Sequence, residues 1–111
     1  MYEYKCDVTR VVDGDTFYGK IDLGFFASLS LKFRLKGIDT PEIYRPLNEA
    51  EKQHGMEAKE FVSSLILNKT VVVRSNKTGK YGRWIAEVIL EDGTDLVTVL
   101  IENGFQKRVY E

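Results

Sequence analysis

Leu29, Leu31, Phe33 and Leu35 recur at every second position with Ser30, Lys32, Arg34 and Lys36 between them, until Gly37-Ile38-Asp39-Thr40-Pro41-Glu42 breaks the pattern. A period of two describes a strand with one face in a core, so Arg34 leaves on the other face. Pro41 has no N–H to donate and biases Thr40 toward extended backbone, which ends the strand and presents Asp39 and Glu42 at its rim. An arginine beside two carboxylates suggests that a metal and a phosphate are handled together. Chemistry is expected to centre on this stretch.

The rest of the chain supplies the frame. Tyr2 to Val12 alternates Tyr2, Tyr4, Cys6 and Val8 with Glu3, Lys5, Asp7 and Thr9, a first strand with one wet face. Val12-Asp13-Gly14-Asp15-Thr16 interrupts it. Asp-Gly alone reads as a tight turn, but the second acid, Asp15, is not needed for one. Thr16 to Leu23 is the hairpin partner, and the Phe25-Phe26 pair in the next connection is expected to pack over a barrel end. Ile43 to Gln53 contains Pro46 and lacks a period, so it reads as a surface loop running into a helix. Ala58, Phe61, Val62, Leu65 and Ile66 then form the apolar stripe of a helix packed on a sheet, with Asn68 as its stop. His54, with no Cys or second His near it, is expected to be solvated.

Thr70 to Arg74 is a β-branched fourth strand, Ser75 to Gly82 a polar loop, and Trp84 to Leu90 a fifth strand. Thr94 or Asp95 can cap a short helix through Asn103, closed by Gly104, whose apolar residues nearly encircle it and predict deep burial. This order is that of an α+β, mainly β chain: a five-stranded Greek-key barrel with a helix between the third and fourth strands and a second helix after the fifth. At 111 residues with 43% hydrophobic content, a single domain over residues 1–111 is expected.

Several classes are excluded or disfavoured. No apolar run approaches the roughly 20 residues of a membrane helix, and Met1-Tyr2-Glu3-Tyr4-Lys5 lacks the pattern of a secretion signal. The lone Cys6 reads as a buried strand thiol. A calcium helix-loop-helix starting at Asp13 fails, since Phe17 and Gly24 stand where oxygen ligands are required. A net charge of −1 argues against a generic nucleic-acid binder, yet its distribution is uneven. Phe61 to Ala86 holds no acid while containing Lys69, Arg74, Lys77, Lys80 and Arg83; such a run reads as a solvated face or, with aromatics beside it, a binding face.

Taken in order, Val12-Asp13-Gly14-Asp15-Thr16, Phe33-Arg34-Leu35 with Ile38-Asp39-Thr40-Pro41-Glu42, and Lys80-Tyr81-Gly82-Arg83 resemble the motif set of the staphylococcal nuclease (thermonuclease) family over nearly the whole chain. The resemblance implies an OB-fold barrel with two packed helices and a calcium-dependent phosphodiesterase acting on DNA and RNA, with 3′-phosphate products. It implies Asp15, Asp39 and the Thr40 carbonyl as calcium ligands, with Asp13 reaching the ion through water. Glu42 matches the residue that orients or deprotonates the attacking water, Arg34 the clamp on the scissile phosphate, and Arg83 the group that stabilises charge near the leaving oxygen. Lys80, Tyr81 and Tyr110 match positions that hold nucleotide phosphate and sugar.

An all-oxygen set suits a hard ion such as calcium, and forked guanidinium groups suit phosphate, so the residue chemistry agrees with those roles. The alternative is a non-catalytic OB-fold nucleic-acid-binding module. A monomer is expected rather than a homodimer, although the best-known members continue beyond the position of Glu111 into another helix, and self-association over an apolar patch would replace that cover. The expected location is cytoplasmic or phage-associated, or secreted if a leader has been trimmed.

Overall fold

The computed structural model describes residues 2–78 and 82–111. Strands β1 (Tyr2–Asp13), β2 (Thr16–Gly24), β3 (Ala27–Leu35), β4 (Thr70–Thr78) and β5 (Trp84–Ile89) close into a barrel in the order β1-β2-β3-β5-β4. All neighbours are antiparallel except β3 and β5, which run parallel because helix α1 (Glu49–Ile66) and β4 lie between them in the chain. Helix α2 (Leu96–Glu102) follows β5. The fold is the mainly β, OB-type barrel with two helices that the element order predicts.

The alternation of the strands fills the barrel. Cys6, Val8, Phe17, Phe33, Leu35, Val71, Val73, Ala86 and Val88 point inward, and the Phe17 and Phe33 rings stack with centroids 5.2 Å apart. Each fully buried large side chain of this kind contributes about 1.5–3 kcal/mol. Cys6 is enclosed as expected, and burial, with a smaller contribution from the Asp7 charge, pushes its thiol up to about 12. It is a packing residue.

Helix α1 begins at Glu49, well before the stripe that starts at Ala58. Asn48 caps it, its side chain accepting from Glu51 N at 3.0 Å, and the buried stripe extends back through Glu51, His54 and Gly55. His54 is therefore interior, not solvated: Nε2 lies 2.8 Å from the Gly104 carbonyl and Nδ1 2.6 Å from the Tyr110 hydroxyl. A carbonyl only accepts, so Nε2 is the donor and Nδ1 accepts from the tyrosine.

Three further expectations are corrected. Phe25 and Phe26 are fully exposed, at 101% and 110%, rather than packed over a barrel end. Gly24 pairs with Ala27, so the two phenylalanines are the whole turn, both with positive φ, and the tip projects beyond the barrel. Strand β4 continues to Thr78 through an irregularity between Arg74 and Lys77, where a loop was expected from Ser75. Helix α2 buries Leu96 and Leu100 completely but leaves Ile101 46% exposed, because a helix packed on one side of β5 cannot bury its whole circumference.

Candidate functional site

Strand register brings separated residues to one place. Thr16 pairs with Arg34, setting the Asp13-Gly14-Asp15 turn beside the end of β3, while Arg34 pairs with Ile85 across the parallel β3–β5 edge and draws Arg83 to the same rim. A β-carbon on Gly14 would stand 2.9 Å from three side-chain atoms of Thr40, so only glycine lets this turn lie against the segment after β3.

The Arg34 guanidinium is the hub. Nη1 donates to the carbonyls of Leu35 at 2.6 Å and Ile38 at 2.7 Å, while Nη2 contacts Asp39 Oδ1 and lies 3.4 Å from Asp15 Oδ2. Asp15 and Asp39 thus meet on a single nitrogen. The two acids differ in exposure: the Asp39 side chain is 77% accessible and that of Asp15 12%. Asp15 also accepts from Thr40 N at 3.1 Å and from the Thr16 hydroxyl at 3.0 Å. Burial pushes the Asp15 carboxyl up, but the Asp13 side chain, the Arg34 charge and these donors outweigh it and hold it below the ordinary carboxylate range. Asp13, which accepts from Asp15 N at 3.2 Å, is raised to about 7 by burial and by the neighbouring Asp15 carboxylate. Two crowded acids beside one another leave demand for more positive charge than one guanidinium supplies.

Arg34, Asp39 and Arg83 line a cleft of about 700 Å³ with Lys36, Gln106 and Lys107. Glu42 is exposed, two residues beyond Thr40, and is not among the residues lining this cleft. Its backbone is firmly held, since Glu42 N donates to Glu51 Oε2 at 3.0 Å. Tyr110 is not brought to the cleft: its ring is buried and its hydroxyl is on His54. Lys80 and Tyr81 lie outside the described residues.

Two residues that the sequence reading did not single out organise the site. Glu51 is buried, and its carboxylate accepts from Leu47 N at 2.7 Å as well as Glu42 N, with Lys107 Nζ at 3.4 Å. Those backbone donors, ahead of the Lys107 contact, hold its carboxyl below the usual glutamate range. The Asn48-x-x-Glu51 spacing is a capping signature and could have marked it. Lys107 carries no local signal; the chain after α2 returns to the site, Lys107 N donating to the Asp39 carbonyl at 2.7 Å.

The group implied by resemblance can be tested against these donors. Among the described residues no cluster of three or more His, Cys, Asp and Glu is gathered to hold a metal. The available set is instead two carboxylates that share one nitrogen, with Thr40 tied to Asp15 through its N–H and its hydroxyl buried with no hydrogen-bond partner among the described residues. All these atoms are oxygen, which fits a hard divalent ion of flexible coordination and not zinc.

Comparison with known proteins places these features in context. Residues 32–111 match the model of the staphylococcal nuclease homologue family. An uncharacterized protein of Methanocaldococcus jannaschii is 32% identical over 129 aligned positions covering 96% of this chain. An endonuclease of Bacillus subtilis is 34% identical over 93% of the chain, and an uncharacterized endonuclease of Escherichia coli O157:H7 is 29% identical over 87%. The chain spans 59%, 9% and 56% of the lengths of these three relatives, so each is substantially longer than the part it shares.

Proposed function

We propose that this chain, which belongs to the staphylococcal nuclease family, hydrolyses phosphodiester bonds of DNA and RNA with the help of calcium and leaves 3′-phosphate ends. The observation that carries the reading is the meeting of Asp15 and Asp39 on one guanidinium nitrogen of Arg34, with Arg34, Asp39 and Arg83 lining one cleft and Asp15 buried behind it. Two acids with a cation demand and two forked cations are what a phosphodiester under attack requires.

Asp15, Asp39 and Thr40 would hold the ion, with Asp13 beyond them. The bound ion would supply positive charge to a phosphate oxygen and to a bound water. Arg83 binds the non-bridging oxygens by paired N–H donors, and the Arg34 Nη2 would join it once Asp15 and Asp39 had turned from it to the ion, an attraction that grows as charge accumulates on the phosphorane. Glu42, its backbone fixed by Glu51, turns toward the cleft and takes the proton of the attacking water. The 5′-oxygen departs near Arg83 and takes a proton from solvent, leaving as a hydroxyl while the phosphate stays on the 3′ side. Lys80 and Tyr81 contact substrate phosphate and sugar, and Tyr110 acts through the chain that it anchors to His54, which carries Gln106 and Lys107 into the cleft.

One observation favours a second reading. Arg34 Nη2 already lies between Asp15 and Asp39 and contacts both, an arrangement compatible with a non-catalytic nucleic-acid-binding barrel. Incubating the purified chain with single-stranded DNA, duplex DNA and RNA, in calcium, magnesium or chelator, separates the two. Cleavage in calcium, lost on chelation, with ends that a 3′-phosphatase makes extendable, is the expected result; binding without cleavage in any metal rejects the enzyme.

A further inference from the structure

Away from the cleft, the outer face of the β1–β2–β3 sheet carries three residues in one cross-strand row. Arg10 pairs with Tyr18, and Tyr18 pairs with Lys32. The Arg10 guanidinium carbon lies 5.7 Å from the Tyr18 ring centroid and Lys32 Nζ 5.5 Å from it, the two cations approaching from the two neighbouring strands. Among the described residues neither cation forms an ion pair with a carboxylate. Two like charges gathered on one ring gain attraction from its π-face, yet their charge stays uncompensated at the surface. Such a row is built to receive an anion.

Its position says which anion. Lys32 stands two residues before Arg34 on the same face of β3, a step of about 6.6 Å along the strand. Thr16 and Arg34 form the adjacent row toward the cleft, so Arg34, Lys32 and Arg10 make one cationic path leading out of it. On the far side acids enter the rows. Asp7 pairs with Lys20 in the next row, and Asp22 follows. A row three strands across is roughly 10 Å wide, enough for one sugar-phosphate backbone.

We propose that Arg10, Tyr18 and Lys32 form a phosphate-holding strip that seats the flank of a single nucleic-acid strand as it leaves the cleft at Arg34. Tyr18 acts by fixing the two cations rather than by stacking on a base, because its ring is already engaged. The inference rests on the nuclease reading for the direction of the strand. Its binding test does not.

The test uses fluorescence anisotropy of a labelled oligothymidylate of about 20 nucleotides, longer than one barrel covers, with calcium and in a Glu42→Gln background so that the probe is not consumed. Arg10→Ala with Lys32→Ala should weaken binding about tenfold and flatten the slope of log Kd against log salt by about 1.4, the share of two phosphate contacts on a single strand. Tyr18→Phe should bind as the parent does and Tyr18→Leu should follow the double variant. In the cleaving protein, the ratio of KM for the long oligomer to KM for a dinucleotide should rise by a similar factor. Lys32→Gln alone provides a milder change with about half the effect on slope. An unchanged salt slope in the double variant overturns the strip even if cleavage is robust. A flattened slope with no cleavage by any form sustains the strip while rejecting the nuclease.

Discussion

The Glu51 carboxylate, buried at the start of α1, accepts the backbone N–H of Glu42 at 3.0 Å, tying the first turn of a helix to the rim of the cleft. Replacing it by glutamine keeps the shape and removes the charge that Leu47 N, Glu42 N and Lys107 share. Because the folded-state pKa lies below the ordinary glutamate value, this charge stabilises the fold fully above about pH 4.3 and the contribution disappears as pH falls through the depressed value. Thermal melts of the parent and Glu51→Gln should therefore differ most near neutral pH and converge in acid. A constant gap across that range would refute the ionised role.

Glu42→Gln and Arg83→Ala should each lower kcat by about a hundredfold or more while leaving calcium affinity nearly intact, because both act mainly on the transition state. Single-turnover cleavage and a calcium titration on the same samples check this. Turnover close to the parent in both variants would end their assignment.

Asp15 and Asp39 should separate under substitution. Asp39→Asn, at an exposed side chain, is expected to weaken calcium binding about tenfold or more without moving the melting temperature. Asp15→Asn leaves one side-chain oxygen for two donors, Thr40 N on Oδ2 and the Thr16 hydroxyl on Oδ1, and should lower both. Calorimetric calcium titration with parallel melts reads both effects; unaltered calcium binding in Asp39→Asn would remove it from the ligand set.

Gly55 lies within α1, where exchange to alanine ordinarily gains about 1 kcal/mol. Here a β-carbon would stand 2.7 Å from the Pro41 carbonyl oxygen and 3.0 Å from that of Glu42, which are backbone atoms. Gly55→Ala should instead destabilise by about 1–3 kcal/mol and impair cleavage by displacing the Pro41–Glu42 segment. Urea unfolding decides the sign.

Tyr110→Phe strips the hydroxyl from His54 Nδ1 at a buried position and should cost about 1–2 kcal/mol. The same change loosens the chain that carries Lys107 N to the Asp39 carbonyl, so KM should rise more than kcat falls. An amide-exchange measurement showing faster opening at Lys107 in the variant would connect the two effects.

The barrel was legible because its determinants are local. Alternation at Tyr2–Val8, Thr16–Leu23 and Leu29–Leu35 predicts strands wherever one face is dry, and Asp13-Gly14 and Asp92-Gly93 mark turns by backbone preference alone. Errors arose where distant contacts overrode that grammar. Helix α1 begins at Glu49 because the capping pair Asn48 and Glu51 is satisfied by the loop and by Lys107 from the far end of the chain. His54 is buried because Tyr110 and Gly104 come over it. Phe25 and Phe26 project because a two-residue turn has no interior to pack against.

The sequence by itself determined the order of elements along the chain, the two helices and the set of charged groups able to meet at the end of β3, since period, turn chemistry and side-chain identity are properties of short segments. Tertiary structure alone decided that Arg34 joins Asp15 to Asp39, that Glu51 and Lys107 brace the rim, and that Arg10 and Lys32 share the Tyr18 ring. Those relations depend on register and on chain closure, which fix distances between residues whose separation in sequence carries no distance information.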